Sequence, residues 1–202
     1  MIADFVSNFI FDWISALGYL GILFFMALES AALPVPSEIV MPFAGYLAYL
    51  GKFDMFLVVA MGTIGNLLGS VVAYYVGLLG GRPLIKRYGK YFLVHEKKLV
   101  LAERFFGAHG DKAVLVSRML PIVRTFISIP AGIGKMNFKR FLIYTAIGSA
   151  PWSLLLACLG FALGPNWKDV IGFFNQLDIL IILAIIMVSA YYLKPSAFRR
   201  KK

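Results

Sequence analysis

The sequence is short of the residues from which most soluble active sites are built. Its 202 residues include one cysteine, two histidines and ten acidic side chains. The single cysteine, Cys158, excludes an internal disulfide and a cysteine-based metal cluster. It lies in an apolar run, which predicts a packed, unreactive thiol. His95 and His109 have no partner at metal-ligand spacing, and no nucleophile–base set accompanies them, so the sequence predicts neither a cofactor nor a metal site.

Charge is also scarce, and apolar residues take its place. Charged residues make up 15% of the chain and apolar residues 60%, with a mean hydropathy of +0.82. A soluble domain is roughly half apolar and about one quarter charged. The polar surface is too small to cover a water-soluble globule, so the composition predicts an integral membrane protein rather than a cytosolic enzyme or a disordered chain.

Long runs with little or no charge predict four transmembrane helices, each able to cross a hydrocarbon core of about 30 Å. The predicted spans lie near residues 13–33, 55–80, 141–163 and 171–193. Residues 1–14 are expected to form an interfacial helix or an N-terminal extension of the first span. The last helix, bounded more broadly at 170–193, carries Asp178, for which a packing or helix-end role is favoured over a role in a site.

Two apolar stretches are too interrupted to form continuous lipid-facing helices. Residues 33–51 contain three prolines and an acid, and residues 113–134 contain two prolines and two arginines. Irregular backbone at membrane depth persists only where protein or a wet cavity surrounds it. Both stretches are therefore predicted to be re-entrant segments made of broken helices.

The two halves of the chain resemble each other. In and directly after the first broken stretch, four residues recur 87 positions later, and two residues further along the chain recur 86 positions later. The pairs are Pro34 and Pro121, Ala44 and Ala131, Gly45 and Gly132, Lys52 and Lys139, Ala60 and Ala146, and Gly62 and Gly148. Because the predicted topology brings the two broken segments in from opposite sides, the repeat is expected to be inverted, as in many transporters.

The predicted fold is an all-α polytopic membrane protein with an inverted repeat and two opposed re-entrant segments. A single membrane domain covers 1–202, with a first repeat at 15–80 and a second at 113–165. The net charge of +10 comes mainly from a basic amphipathic region at 82–112 and a basic tail at 194–202. The positive-inside rule places these basic segments in the cytoplasm, where they set orientation or bind lipid headgroups. No nucleic-acid partner is expected.

Besides Asp178, four charged residues fall within the predicted membrane region: Glu29, Glu38, Arg118 and Arg124. Each costs at least about 2.5 to 3.5 kcal/mol at the centre of a bilayer, and such residues usually mark a pathway. Ion bridges that simply lock the segments together are the alternative. A working site is favoured, because buried ion pairs stabilise less than apolar packing. The arginines suit a phosphate group and the glutamates suit proton coupling or gating.

Small residues and aromatics carry weaker signals. Gly65 and Gly69, like Gly77 and Gly81, have the small-xxx-small spacing that lets helices approach closely, either within one chain or in a homodimer. Aromatic side chains such as Trp152 are predicted to mark the ends of spans or to fill packing gaps.

At this point the sequence resembles the DedA family of membrane proteins, whose domain also occurs in eukaryotic lipid scramblases as the VTT domain. Glu29, Pro34, Pro36, Ser37, Glu38 and Gly45 resemble the first family signature, with Glu38 where members often have aspartate. Ser117, Arg118, Pro121, Arg124, Thr125, Pro130 and Gly132 resemble the second. The likeness covers about residues 15–165.

The resemblance implies a bacterial inner-membrane protein that supports the cell envelope and depends on the proton-motive force. It also implies that Glu29 and Glu38 are essential acids and that Arg118 and Arg124 are essential arginines. Some members move undecaprenyl phosphate and others are reported to move phosphatidylethanolamine. We therefore expect a proton-coupled transporter for a phosphate-headgroup lipid, with undecaprenyl phosphate as the first candidate.

Three alternatives remain open from the sequence. A phosphatidylethanolamine flippase or a phospholipid scramblase would use the same arginines. A membrane lipid-phosphate phosphatase would need a histidine nucleophile or a metal-ligand set. A proton-coupled exporter of small cations is disfavoured by the two arginines, which would repel its substrate.

Overall fold

The structure, a computed structural model, describes residues 2–33, 35–92, 112–118 and 121–169, together with residues 106 and 110. Several predictions concern residues outside this part of the chain. They include the fourth span at 171–193 with Asp178, the tail at 194–202, Pro34, the two histidines and most of the basic region between 93 and 111. The described residues form helices joined by short turns and contain no strand.

Seven helices follow one another along the described chain. They are α1 (Ile2–Leu17), α2 (Tyr19–Ser30), α3 (Ser37–Tyr49), α4 (Met55–Phe92), α5 (Pro121–Phe126), α6 (Ser128–Ile133) and α7 (Phe138–Leu163). A further helical stretch covers 112–117, and a 3₁₀ turn at Gly164–Asn166 extends α7. Met55–Gly80 and Phe138–Asn166 are long and apolar enough to cross a membrane. At about 1.5 Å per residue, each exceeds a core of about 30 Å.

The predicted first span at 13–33 is wrong, because the chain turns sharply at Gly18. This residue has φ 63°, a left-handed conformation that glycine adopts without steric cost. A Cβ added to Gly21 would lie 3.0 Å from the Cα of Ile14, although seven residues of straight helix would separate them by about 10 Å. The turn folds α1 back along α2. With 12 residues, α2 is only about 18 Å long, which is too short to span a bilayer.

The second predicted span at 55–80 continues as helix for twelve more residues, to Phe92. The start of the predicted basic region therefore belongs to the same helix. Arg82, Lys86, Arg87 and Lys90 lie on this extension. Lysine and arginine are good helix formers, so the change in hydropathy at Gly81 limits the apolar part without ending the helix.

Both proline-rich stretches contain a break, but the first has one only before α3, which runs without interruption through Pro42. Between α2 and α3 the chain leaves the helical conformation at Ala32, with φ 68°, and re-enters it after Pro36. In the second stretch, turns at Arg118 and Ile127 divide the chain into the helical stretch at 112–117, α5 and α6. Pro121 is the first residue of α5, where the missing N–H of proline costs no helical hydrogen bond.

Each short broken helix packs against the long helix of the other half of the chain. Helix α3 packs on α7, and α6 packs on α4. Glycines permit this close approach, because an added Cβ would meet a backbone carbonyl. Gly45 faces the carbonyl of Ala157 and Gly160 that of Pro42, while Gly132 faces that of Tyr74 and Gly77 that of Ile129.

The long helices α4 and α7 also pack on each other, and they run antiparallel. Gly62 lies near the Ser153 hydroxyl, with a distance of 3.4 Å from an added Cβ to Oγ. Ser70 lies two turns after Gly62 on α4, and Thr145 lies two turns before Ser153 on α7. The hydroxyls of Ser70 and Thr145 both accept a hydrogen bond from the Arg118 side chain, so the two helices run in opposite directions. The interface between the two long helices is therefore lined by small polar side chains.

The outer surface is apolar and the interior holds charge, which is the reverse of a soluble protein. Phe56 and Leu79 on α4 are 78% and 72% exposed, whereas Glu29, Arg118 and Arg124 are buried. Such a surface is suited to contact with lipid chains. Cys158 is exposed on α7, so the predicted packed thiol is wrong. An apolar run on a membrane helix does not show which of its faces meets lipid and which meets protein.

Candidate functional site

An ion pair between the two halves of the chain forms one end of the candidate site. Glu29 lies in the last turn of α2 and Arg124 in α5, and both side chains are buried. The Arg124 Nη2 donates to Glu29 Oε1 and to the hydroxyl of Ser37. The backbone N–H of Ser37 donates to the same Glu29 oxygen at 3.3 Å. As the first residue of α3, Ser37 has an N–H with no partner within the helix, so this contact also satisfies the helix end.

Arg118 forms the second part of the site and is 1% exposed. Its Nη1 donates to the backbone carbonyl of Arg124 at 3.1 Å. Its Nη2 donates to the hydroxyls of Ser70 and Ser128, both at 2.8 Å, and to that of Thr145 at 3.4 Å. All four acceptors are uncharged. The guanidinium is thus held by dipoles from α4, α5, α6 and α7, and these four helices fix its position.

Glu38 lies beside the ion pair, in the first turn of α3, and is half-buried. The N-terminal end of a helix carries partial positive charge, which favours an acid there. Glu38 is close enough to Glu29 for the two carboxyl groups to repel each other. The structure therefore brings together all four charged residues singled out from the sequence, with Glu29 in the ion pair and Glu38 next to it.

Several buried polar atoms in and near this cluster have hydrogen-bonding capacity that their protein contacts do not use. Among the described residues they include Oε2 of Glu29 and Nε of both Arg118 and Arg124. The buried hydroxyls of Ser149 and Ser153 on α7 also have no hydrogen-bond partner among the described residues. Most buried polar groups in proteins have a partner, so unsatisfied atoms next to two guanidinium groups point to a site that can take an additional ligand.

Trp152 is part of the same cluster, although the sequence predicts a role at a span end or in packing. The Arg124 guanidinium carbon lies 5.3 Å from the centroid of its ring. Cations are attracted to the face of an aromatic ring at this distance. The contact gives the Arg124 charge a second support besides Glu29 and ties the cluster to α7.

Sequence reasoning assigned no role to the hydroxyl groups that position the arginines, although Ser37 belongs to the first family signature. One of them had a usable signal, because Ser37 and Arg124 are 87 residues apart, the spacing of the internal repeat. Thr145, Ser149 and Ser153 also recur at four-residue intervals within an uncharged run, which predicts a polar stripe on one helix face. Ser70 and Ser128 carry no comparable pattern.

The cluster can bind an anion with several oxygen atoms. The Arg118 guanidinium donates to the backbone carbonyl of Arg124 and is held by neutral groups, and one carboxylate pairs with the Arg124 guanidinium. Guanidinium groups bind carboxylates and phosphates through paired N–H donors. A group of this kind that reached the cluster would supply the negative charge that the hydroxyls around Arg118 lack.

Comparisons with known proteins find matches over most of the chain. The VTT domain matches residues 35–162. Undecaprenyl phosphate transporter A of Bacillus subtilis is 34% identical over 91% of each chain. An alkaline phosphatase-like protein of Lactococcus lactis is 32% identical over 98% of this chain and 96% of its own. Protein DedA of Escherichia coli is 31% identical over 77% of this chain and 69% of its own.

No solved structure matches the chain. The domain match spans more than half of the sequence, and it covers nearly all of the two broken segments and the two long helices, together with both arginines. The charged interior and the apolar exterior fit the same assignment. The chain belongs to the VTT-domain (DedA) family of bacterial membrane proteins.

Proposed function

We propose that the protein transports a lipid with a phosphate headgroup, first of all undecaprenyl phosphate, from the outer to the inner leaflet of the bacterial inner membrane. It acts as a transporter rather than an enzyme and is driven by the proton gradient. The observation that carries this proposal is the buried arginine pair. Arg124 faces Glu29, whereas Arg118 is held by four uncharged oxygens.

A phosphate monoester suits this pair because its oxygens match the planar fork of each guanidinium. Arginine remains charged in the membrane interior, so it binds without needing a proton from elsewhere. The undecaprenyl phosphate transporter A of B. subtilis, named for such a lipid, is similar over most of the chain. In our proposal Arg118 and Arg124 bind the headgroup, and the hydrocarbon chain stays in the bilayer.

Glu29 links binding to protons in this proposal. When Glu29 is ionised, its Oε1 accepts a hydrogen bond from the Nη2 of Arg124, which is then not available to a substrate. A proton that neutralised the carboxyl group would weaken this pair and free the Arg124 donors for a phosphate oxygen. Proton entry would thus be coupled to headgroup capture, and proton release to headgroup discharge.

Packing supports the inverted repeat on which alternating access depends. The glycine contacts form two sets, and their members are related by constant spacings. Pro42 and Gly45 on α3 precede Ile129 and Gly132 on α6 by 87 residues, and Tyr74 and Gly77 on α4 precede Ala157 and Gly160 on α7 by 83. Each broken helix thus crosses the opposite long helix through equivalent positions. The antiparallel course of α4 and α7 agrees with an inversion.

The proposed binding site lies where the two repeats meet. Ser37 and Arg124 occupy equivalent repeat positions and contact each other. Substrate sites of inverted-repeat transporters lie at such interfaces, next to discontinuous helices. In our proposal the segments at 33–51 and 113–134 are re-entrant from opposite sides, and the headgroup passes between them.

A leaflet-resolved assay in liposomes tests the proposal. Purified protein would be supplied with undecaprenyl phosphate or phosphatidylethanolamine, with and without a pH gradient. We expect gradient-dependent movement of undecaprenyl phosphate that Arg124→Ala and Glu29→Gln abolish, although both variants stay folded in the membrane. Arg140→Ala, which removes an exposed arginine at the start of α7, is the matched control and should transport normally.

The same assay separates the alternatives. Equal movement of both lipids without a gradient would indicate a scramblase, and preferential movement of phosphatidylethanolamine would indicate a flippase for that lipid. The phosphatase-like name of the L. lactis relative makes phosphate release worth measuring in parallel. Normal transport by both site variants at normal expression would contradict the assignment of the site.

A further inference from the structure

A groove runs along the outer side of α7, next to the arginine cluster but separate from it. It has a volume of about 440 Å³ and is lined by Leu115, Ile147, Gly148, Pro151, Trp152 and Leu155. The lining is almost entirely hydrocarbon. Its volume falls in the range of about 300–1,000 Å³ that is typical of ligand pockets.

The groove is open on the outer side of α7 and is closed on the side of the protein core. Ile147 and Leu155 on its rim are 55% and 48% exposed, whereas Gly148 at its floor is buried. Ile147, Pro151 and Leu155 recur every four residues, so one face of α7 forms the wall. A chain lying in the bilayer could enter sideways without crossing any polar surface.

Two wall residues also touch the arginines. A Cβ added to Gly148 would lie 2.6 Å from the Cβ of Arg118. Only the backbone of Gly148 therefore separates the groove from the Arg118 side chain at this point. On the neighbouring wall, the Trp152 ring lies against the Arg124 guanidinium. The groove therefore adjoins both of the arginine side chains that form the proposed headgroup site.

From this continuity we infer that the groove binds the hydrocarbon chain of the transported lipid, in the part of the chain that adjoins the phosphate. The inference rests on the proposed function and adds a site for the tail. Arginine charge on one side of the wall and hydrocarbon on the other match the two ends of a lipid phosphate. An apolar protein segment in the groove would bring no negative charge to the arginines beside it, whereas a lipid phosphate would.

The groove contributes position and shape rather than hydrophobic energy. Lipid chains are already in an apolar medium, so entering the groove removes no hydrocarbon from water. Close packing in a fixed groove instead holds the first units of the chain where the phosphate reaches Arg118 and Arg124. Trp152 is a positioning residue in this arrangement, since it contacts the groove with one part of its surface and Arg124 with another.

Filling the groove tests the inference. Ile147→Trp and Leu155→Trp place a large ring in it. Matched controls come from the same helix: Ile143→Trp lies one turn earlier at an equal 55% exposure, and Leu154→Trp is adjacent to Leu155 at 47%. We expect the two groove variants to lose about tenfold or more of undecaprenyl phosphate transport, as when a packed site is overfilled. The controls should retain wild-type rates.

Photolabelling gives a second readout that does not depend on transport. A polyprenyl phosphate with a diazirine in the isoprene units next to the phosphate should label the peptide at 147–155 in the wild-type protein and in Arg124→Ala. Labelling should fall in Leu155→Trp and persist in Leu154→Trp. Gel filtration in detergent checks that each variant is folded, and Leu155→Phe serves as a milder filling variant if the tryptophan variant is not.

The outcomes separate the groove from the proposed function. Groove variants that transport and label like their controls, while Arg124→Ala is inactive, would overturn the groove and leave the headgroup site standing. Absence of label at 147–155 in the wild-type protein would also overturn it and would indicate that protein covers the groove. Labelling at 147–155 in a protein that moves no phosphate lipid would support the chain site and contradict the transport function.

Discussion

Arg118 shows how a membrane protein can hold a buried cation with neutral groups. Three hydroxyls and one carbonyl accept its hydrogen bonds, and each comes from a different part of the chain. Such dipoles stabilise the charge less than a carboxylate would. The side chain therefore keeps a strong tendency to bind an anion while its position stays fixed.

Replacing Arg118 with lysine should impair transport although the charge is kept. Lysine has a single ammonium group and cannot reach the Arg124 carbonyl and the three hydroxyls together. A hydrogen bond to a charged group is worth about 1.5–3 kcal/mol, so we expect a loss of about tenfold to a hundredfold. The liposome assay measures it, with the exposed Arg140→Lys as control. Wild-type transport by Arg118→Lys would show that charge alone suffices.

The Glu29–Arg124 pair should also be visible in stability. Removing one partner of a buried pair costs up to about 3–5 kcal/mol, because a charge is left without compensation. Glu29→Gln and Arg124→Gln should each lower the Tm in detergent, and the double variant should lower it by less than their sum. Thermal unfolding of the four proteins forms a double-mutant cycle. Additive shifts in Tm would mean that Glu29 and Arg124 are not energetically coupled in detergent.

At the scale of elements, two close helix crossings, α3 with α7 and α4 with α6, help to hold the fold together, and each depends on two glycines that face backbone carbonyls. A side chain at such a position would meet backbone, which cannot move aside as a rotamer can. The helices would have to separate, and the neighbouring hydrogen bonds to Arg118 would lengthen. Crossing geometry and site geometry are thus linked through α4 and α7.

Gly77→Ala should destabilise the protein, and Gly80→Ala should not. Both glycines lie on α4, less than one turn apart. A Cβ at Gly77 would collide with the Ile129 carbonyl, but one at Gly80 meets nothing within 4 Å. We expect Gly77→Ala to cost about 1–3 kcal/mol, which is typical of overpacking. Because alanine is the better helix former, Gly80→Ala should be neutral or slightly stabilising. Equal melting temperatures in detergent would contradict a close crossing at Gly77.

The sequence predicted some of these elements and missed others for physical reasons. Hydropathy located α4 and α7 because each has a long uncharged run. It missed the turn at Gly18, since a lone glycine in an apolar run has the same hydropathy in a helix as in a turn. The expense of charge in hydrocarbon singled out Glu29, Arg118 and Arg124, which the structure brings together. Hydropathy did not single out Ser70 and Ser128, because a single serine adds little to the free energy of inserting a helix into the membrane.

For the whole molecule, the spacings within the repeat carry the most information. The sequence match pairs Ala60 and Gly62 with residues 86 positions later, whereas equivalent packing positions on the long helices are 83 apart. The starts of α4 and α7, Met55 and Phe138, are also 83 apart. Chance identities in apolar sequence explain the difference, because alanine and glycine recur often. The packing contacts thus define the register of the proposed repeat better than the identical residues do.

An inverted repeat requires that equivalent positions lie on opposite sides of the membrane, and Lys52 and Lys139 test this. Both are exposed, and Lys52 lies just before α4 whereas Lys139 lies in the first turn of α7, so the two mark corresponding ends of the proposed repeats. The lone cysteine simplifies the experiment, since Cys158→Ser leaves a background without thiols. In that background an impermeant maleimide should label Lys52→Cys in intact cells and Lys139→Cys only after the membrane is opened. Labelling of both from the same side would rule out the inversion, and with it the passage of a headgroup between opposed segments.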